Sequence, residues 1–277
     1  LAQYFGCSIL SADSRQIFRE IPIGTAAPSD EERVAVPHYF VGTRSVTEPY
    51  SAATFESEVL ELLPQVFAES SSSTALLSGG SMMYVDAVTK GIDSMPDVPE
   101  EVRSVVWERY AAEGLDGILA ELHLLDPVYY KAVDPKNYKR VLHGYEVCLA
   151  TGRPFSSFHT GQQKARPFRI VKVGLTRDRE ELYERIDKRV ELMIEAGMVE
   201  EAQRVYLLRS LNALNTVGYK ELFSYFDGDI DFAEAVRLVQ RNSRHYARKQ
   251  LSWWRRDPEI RWFHPDVWEE IIAYIHQ

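Results

Sequence analysis

Cysteine is scarce: the 277 residues hold only Cys7 and Cys148, far apart, with no CxxC spacing and no histidine partner. Neither a disulfide scaffold nor a zinc site fits such a pair, and a reducing cytosol is the expected compartment. Long apolar runs are missing as well. Nothing approaches the roughly 20 residues that cross a bilayer. The first residues lack the charged and apolar pattern of a signal peptide. What remains, 45% hydrophobic and 26% charged, is ordinary for a globular protein, and the chain can bury a large core in one or two domains. The net charge of -9 argues mildly against nucleic acid as a partner. One stretch, however, contains no acid at all.

That stretch is RLVQRNSRHYARKQLSWWRR, residues 237–256, with seven Lys/Arg and one His. Arg237, Arg241, Arg244 and Arg248 recur at i, i+4, i+7 and i+11 and so share one helix face, with Arg255 two turns further on. Like charges at that spacing repel by about 0.2–0.5 kcal/mol per pair unless an anion meets them. The stripe therefore points to a phosphate-rich partner. Tyr246, Trp253 and Trp254 interleave it and can stack bases, although Leu251 and Trp253 are expected to pack inward.

The rest of the chain alternates. SILSA (8–12), TALLSGG (74–80) and RIVKVGL (169–175) are short apolar runs ending in polar or glycine turns, the pattern of parallel strands. Helical spacing occupies 51–67 and 178–196. Between Pro96 and Lys164 only helical patterns occur, at 98–113, 115–124, 127–133 and 138–151, bounded by SMPDVP and the turn-rich TGRPFSSFHTGQQKARP. After Asn212 the spacing is helical again, at 218–226 and 232–256. The expectation is an α/β core of residues 1–95 and 165–277, interrupted by a helical insertion at 96–164.

In open parallel sheets, ligands sit beyond the carboxyl ends of the strands. Asp13 and Gly79-Gly80-Ser81 fall on that rim together. Asp13 is either the N-cap of a following helix or an acid available for chemistry. The glycines let a backbone approach a phosphate, and the Ser81 hydroxyl can donate to it; a tight turn explains GGS equally well. Lys139, Arg140 and His143 fall on the first turns of one helix. Arg185 and Arg189 sit on another, where Glu184 and Asp187 can serve as ordinary salt-bridge partners.

In chain order, DSRQIF, IGTAAP, GGSMMY, DPKNYKR, RIDKRV, NTVGYKEL and SRHYARKQLSWWRR resemble the tRNA dimethylallyltransferase family from residue 1 to about Pro265. The resemblance implies a P-loop NTPase-like parallel sheet core, a mostly helical insertion and a helical C-terminal region. It implies a Mg²⁺-dependent transfer of the dimethylallyl group of dimethylallyl diphosphate onto N6 of adenine-37, beside a tRNA anticodon. An N6 amine is a poor nucleophile because its lone pair is delocalised. A carboxylate that takes its proton is typically worth ~10²–10⁴-fold. By resemblance that carboxylate is Asp13, with Arg189 as second catalytic residue and with Ser81 and Arg189 on the diphosphate.

The same resemblance implies tRNA contacts at Asp13, Ser14, Arg15, Gln16, Ser81 and Arg103. Further contacts fall on Lys139, Arg140, Val141, Leu142 and His143, and on Asn215, Thr216, Val217, Gly218, Tyr219 and Lys220. A last group runs through Arg248, Lys249, Gln250, Leu251, Ser252, Trp253, Trp254 and Arg255. The family's phosphate-binding loop, GxxxxGK[ST], does not occur in these 277 residues. LAQYFG is expected to be the end of a helix closed by Gly6, with that loop upstream. Ser81 keeps the hydroxyl of the Thr that family members often carry, Ala27 replaces a Lys, and Phe18 replaces a Tyr. The expected partner is an anticodon stem-loop met by a monomer away from any membrane. An adenylate isopentenyltransferase is the nearest rival, and needs no long basic stripe. A non-catalytic RNA-binding module accommodates the lack of the phosphate loop, whereas a nucleoside kinase would require ATP and that loop.

Overall fold

The computed structural model describes all 277 residues, Leu1–Gln277. They form two compact units, 1–90 with 166–277 and 91–165.

The first unit opens with α1 (Ala2–Phe5), closed by Gly6 at φ 54, a left-handed cap that glycine adopts without Cβ strain. β1 (Ile9–Ser11) follows, then α2 (Asp30–Ala35), started by a capping box of Ser29 and Glu32. β2 (His38–Tyr39) precedes α3 (Ala52–Glu69), whose first turn is capped where the Ser51 side chain accepts from the Thr54 N–H. The helix buries Phe55, Val59, Leu63 and Val66, one face at helical spacing. β3 (Leu76–Ser78) and α4 (Met82–Lys90) complete this half. β1 is the middle strand of a parallel sheet ordered β2-β1-β3, with Ile9 in register with both His38 and Leu76.

The second unit is helical: α5 (Glu100–Glu113), α6 (Asp116–Leu125), α7 (Pro127–Ala132) and α8 (Tyr138–Thr151). Val106, Ile118, Leu122, Val141, Leu142 and Tyr145 make its core. Asp126, with 0% exposure, satisfies its carboxylate on the Tyr129 N–H (2.9 Å) and on the N–H and hydroxyl of Ser156 (2.6 and 2.7 Å).

The chain re-enters the first unit through β4 (Val173–Leu175) and α9 (Arg179–Glu195), followed by α10 (Met198–Val205) and α11 (Tyr219–Phe226). α12 (Phe232–Trp254), β5 (Arg261–Phe263) and α13 (Trp268–Ile275) end it. β4 and β5 pair in parallel, Val173 opposite Arg261, as a second sheet of two strands. The architecture is α/β, as expected. β2 and β5 carried no signal in the sequence, because two or three residues cannot display an alternating period. One core joins both halves of the unit: Leu10, Ile17, Phe55, Tyr84, Met198, Tyr219 and Leu222 pack together. Arg166 anchors the re-entry, bonding Glu56 at 2.7 Å and the carbonyls of Ala87 and Val88 at 2.7 and 2.8 Å. No helix is long and apolar enough to cross a membrane.

Candidate active site

β1 runs out into Ala12 and Asp13 at the sheet's carboxyl rim. Beside it, the Ala12 N–H donates to Ser78 O (2.8 Å) and the Ser81 N–H donates back to Ala12 O (3.1 Å). The two chains approach so closely that a Cβ on Gly79 would lie 2.3 Å from Ala12 O. Only glycine fits there. The Ser14 N–H donates to Ser81 Oγ (2.8 Å), and the two hydroxyls are 3.0 Å apart. Asp13 Oδ1 accepts from the N–H groups of Arg15 (2.8 Å) and Gln16 (3.2 Å). It is therefore a cap, but of a turn rather than a helix. Its second oxygen accepts no hydrogen bond.

Arg15 extends from this turn without an ion pair. Burial pushes its guanidinium below the ordinary value, while Tyr84, Asp13 and Tyr246 pull it upward. Tyr84 is pushed up to about 12, chiefly by burial and against the pull of Arg15. Burial, then the Asp13 charge, raises Tyr246. One acid, one cation and two neutral phenols thus share one local field at the rim.

α12 closes over it. Gln250 Nε2 and Tyr246 Oη both donate to Gly80 O, at 2.8 and 3.2 Å, and a Cβ on Gly80 would strike Gln250 Nε2 at 2.1 Å. Trp253, expected inside, is 38% exposed, because its indole N–H is held by Asp86 at 2.9 Å. Leu251 and Trp254 are half-buried, whereas Arg248, Lys249, Ser252 and Arg255 are exposed. The basic stripe is less naked than its own sequence suggests. Arg237 pairs with Glu234 at 2.6 Å, and Arg244 pairs with Asp187 of α9. Asp187 therefore serves Arg244 instead of Arg185 or Arg189. Arg241, Arg248 and Arg255 have no carboxylate within 4 Å.

Gln16 links the rim to a neighbouring cleft. Its Oε1 accepts from Ser11 Oγ (3.0 Å), and its Nε2 donates to the carbonyls of Thr25 (3.3 Å) and Ala26 (3.0 Å). The loop 21–27 is gripped from behind by Glu201, which has 0% exposure. That carboxylate accepts from the N–H groups of Ile23 (2.9 Å) and Gly24 (2.7 Å) and from the Tyr219 hydroxyl (2.5 Å). Burial first, then Glu201, pushes the Tyr219 phenol far up, so it stays a donor. The cleft, about 640 Å³, is lined by Gln16, Ile23, Ala27, Arg33, Arg189 and Met193 among others. Arg189 is exposed and has neither an ion pair nor a hydrogen bond to Asp13 or Ser81. Gln16 thus bonds Asp13 through its N–H and lines the same cleft as Arg189.

Elsewhere the structure sorts consecutive candidates by helix face. Asn215 and Lys220 are exposed and Thr216 and Val217 half-buried, but Gly218 is buried. Tyr219 at 0%, Val141 at 0% and Leu142 at 1% exposure have their side chains in the cores and offer no side-chain surface to a tRNA. A run of adjacent helical residues cannot all face one partner. In the second unit Arg103, Lys139, Arg140 and His143 are exposed. Tyr84 was overlooked although it ends GGSMMY, and Glu201 gave no signal, since an acid among the acids of a helix looks solvated. For the implied Mg²⁺, no three His, Cys, Asp or Glu side chains converge. These residues therefore do not supply a protein cage for the ion.

The chain matches the IPP transferase family over residues 16–257. It is 65% identical over 267 residues to tRNA dimethylallyltransferase 2 of Porphyromonas gingivalis, covering 96% of this chain and 88% of that protein. With tRNA dimethylallyltransferase 1 of Bacteroides fragilis it shares 54% identity over 275 residues, 99% and 91% of the respective lengths. The solved full-length tRNA isopentenylpyrophosphate transferase of Bacillus halodurans superposes with a TM-score of 0.67 at 31% identity, covering 95% of this chain and 83% of that one. A eukaryotic dimethylallyltransferase crystallised acting on tRNA reaches 0.75 at 23% identity, over 91% and 64% of the chains, a likeness of fold.

Proposed function

The chain belongs to the IPP transferase family, and on that premise we propose that it is a prenyltransferase that moves a dimethylallyl group from dimethylallyl diphosphate to N6 of adenine-37 in tRNA. The observation that carries this reading is the uncommitted oxygen of Asp13, beside two serine hydroxyls and an unpaired arginine at a strand-end rim. A bond forms between N6 and the allylic carbon as that carbon's bond to the diphosphate oxygen breaks. The diphosphate departs with the electron pair, and the N6 proton passes to Asp13. The charge that builds on the leaving group suits Arg15 and, across Gln16, Arg189. The flipped adenine needs a wall to replace its stacking neighbours, and Tyr84, Tyr246 and the α12 surface are suited to that role. Ser14, Ser81, Gln250 and the cations of α12 fit the anticodon loop, with Arg103, Lys139, Arg140 and His143 as further contacts. The enzyme works as a monomer in the cytosol, where Cys7 and Cys148 remain buried free thiols.

Labelled dimethylallyl diphosphate offered with an anticodon stem-loop RNA and with free adenylate tests this reading. Label is expected on the RNA, at the adenine following the anticodon. Label on the mononucleotide alone would favour the free-nucleotide rival, and label on neither would sink the transferase reading.

A further inference from the structure

The two halves of α12 are held in different ways. The first half buries Ala235 and Val239, but from Gln240 to Trp254 no side chain is fully buried. Non-directional apolar burial therefore does little to orient the second half. Directional bonds hold it instead. Asn242 and Arg244 tie its start to Glu221 and Asp187. Tyr246, Gln250 and Trp253 recur at i, i+4 and i+7 and so share one face. All three donate to the segment that runs from Gly80 into α4. Tyr246 and Gln250 reach Gly80 O at 3.2 and 2.8 Å, and Trp253 reaches Asp86 Oδ2 at 2.9 Å. The first two share one neutral carbonyl. The third has a charged acceptor, and such bonds are roughly twice as strong as neutral ones.

We propose that Asp86 is a positioning residue for RNA: it fixes the end of α12, and with it the place at which Trp253 and Arg255 meet the substrate. The inference rests on the reading of α12 as the RNA surface. Asp86 Oδ1 lies 3.1 Å from Lys90 Nζ, and Lys90 Nζ is also 3.4 Å from Asp257 Oδ2. Lys172, just before β4, closes the chain on the same Asp257 oxygen at 2.9 Å. Signs alternate along Asp86, Lys90, Asp257 and Lys172, and these side chains are between 11% and 29% exposed. Charges so far withdrawn from water hold one another more firmly than an exposed surface pair does. The network grips Trp253 inside the last turn of α12 and Asp257 just beyond its end. Arg255 sits between those two grips, exposed and without a carboxylate partner. Its place is therefore set by its neighbours and not by a bond of its own. The same bond holds an indole that is 38% exposed. A ring already held loses less freedom on stacking against a base than a free one.

Hydrogen exchange in the free protein tests the latch without RNA, and kinetics on an anticodon stem-loop test its use. Asp86→Ala is expected to speed exchange of the amides in 250–257. It should also raise KM for the RNA by ~2–10-fold, the worth of one hydrogen bond, while kcat at saturating RNA is kept. Asp86→Asn keeps an acceptor for the indole and should recover part of both losses. Trp253→Phe deletes the N–H but keeps a ring, and it reads the latch by exchange even where Asp86→Ala folds poorly. Because those two variants break the same bond, combining them should cost less than the product of the singles. Unchanged exchange in Asp86→Ala, or faster exchange with unchanged KM, would overturn the proposal. So would an Asn variant no better than Ala, or fully multiplicative losses in the double variant. A parent chain that binds no hairpin defeats the RNA reading of α12 instead, and exchange then still decides whether Asp86 holds the helix.

Discussion

At the scale of single residues, Asp13 has one oxygen engaged and one free. Oδ1 holds the turn that carries Ser14, Arg15 and Gln16, and the other oxygen is unengaged. Capping and catalysis, alternatives in the sequence, are compatible in the structure because a carboxylate has acceptors to spare. Asp13→Asn separates them. The amide oxygen can still accept from the Arg15 and Gln16 N–H groups, so the turn and the fold should survive, but the amide cannot take a proton. Steady-state kinetics with saturating dimethylallyl diphosphate should show kcat down by ~10²-fold or more with KM for RNA little changed. A variant of full rate would leave Asp13 as a cap alone. Arg15 teaches the converse lesson. Its type was visible in DSRQIF, but its partial burial without a carboxylate emerged only when Tyr84 and Tyr246 closed around it.

At the scale of elements, loop 21–27 is held by Gln16 on one side and by Glu201 of α10, itself bonded to Tyr219 of α11, on the other. Gly24 is obligatory because the Tyr219 hydroxyl lies 2.4 Å from where its Cβ would be. Glu201→Gln swaps a pure acceptor for a group that must point N–H atoms at other donors in a site without water access. One donor left unpaired there costs about 1–3 kcal/mol. Thermal unfolding should show the loss, and because the loop walls the Arg189 cleft, KM for dimethylallyl diphosphate should rise more than kcat falls. An unchanged melting midpoint together with unchanged KM would refute the clamp. Such a clamp was illegible in the sequence because it joins residues 178 apart. The long helices were legible to within a few residues: α8 coincides with the expected 138–151, and α3 and α9 with their apolar spacing. The strands were found as runs but overestimated in length, since apolar residues continue beyond the paired backbone. Tyr219, Val141 and Leu142 show the limit of motif reading, which names neighbours in sequence where a helix turns them to opposite sides.

At the scale of the whole molecule, a net charge of -9 surrounds a concentrated basic surface on α12. The average would repel a polyanion at long range, so association must rest on local contacts that release counterions from the RNA. Only part of the stripe is free for this. Arg237 and Arg244 are paired with carboxylates, whereas Arg248 and Arg255 are exposed and unpaired. Those two should carry a measurable share of the salt dependence, and the paired ones less. Each phosphate contact removed lowers the magnitude of the slope of log affinity against log salt by about 0.7 for single strands and about 0.9 for duplex. Arg248→Ala combined with Arg255→Ala should therefore flatten the slope by ~1.4–1.8 in filter-binding titrations of an anticodon stem-loop, with circular dichroism unchanged because neither side chain is buried. Arg237→Ala, which also frees Glu234, should do less than either alone. Equal slopes for the double variant and the parent would remove α12 from the RNA interface and return the basic stripe to a solvated helix face.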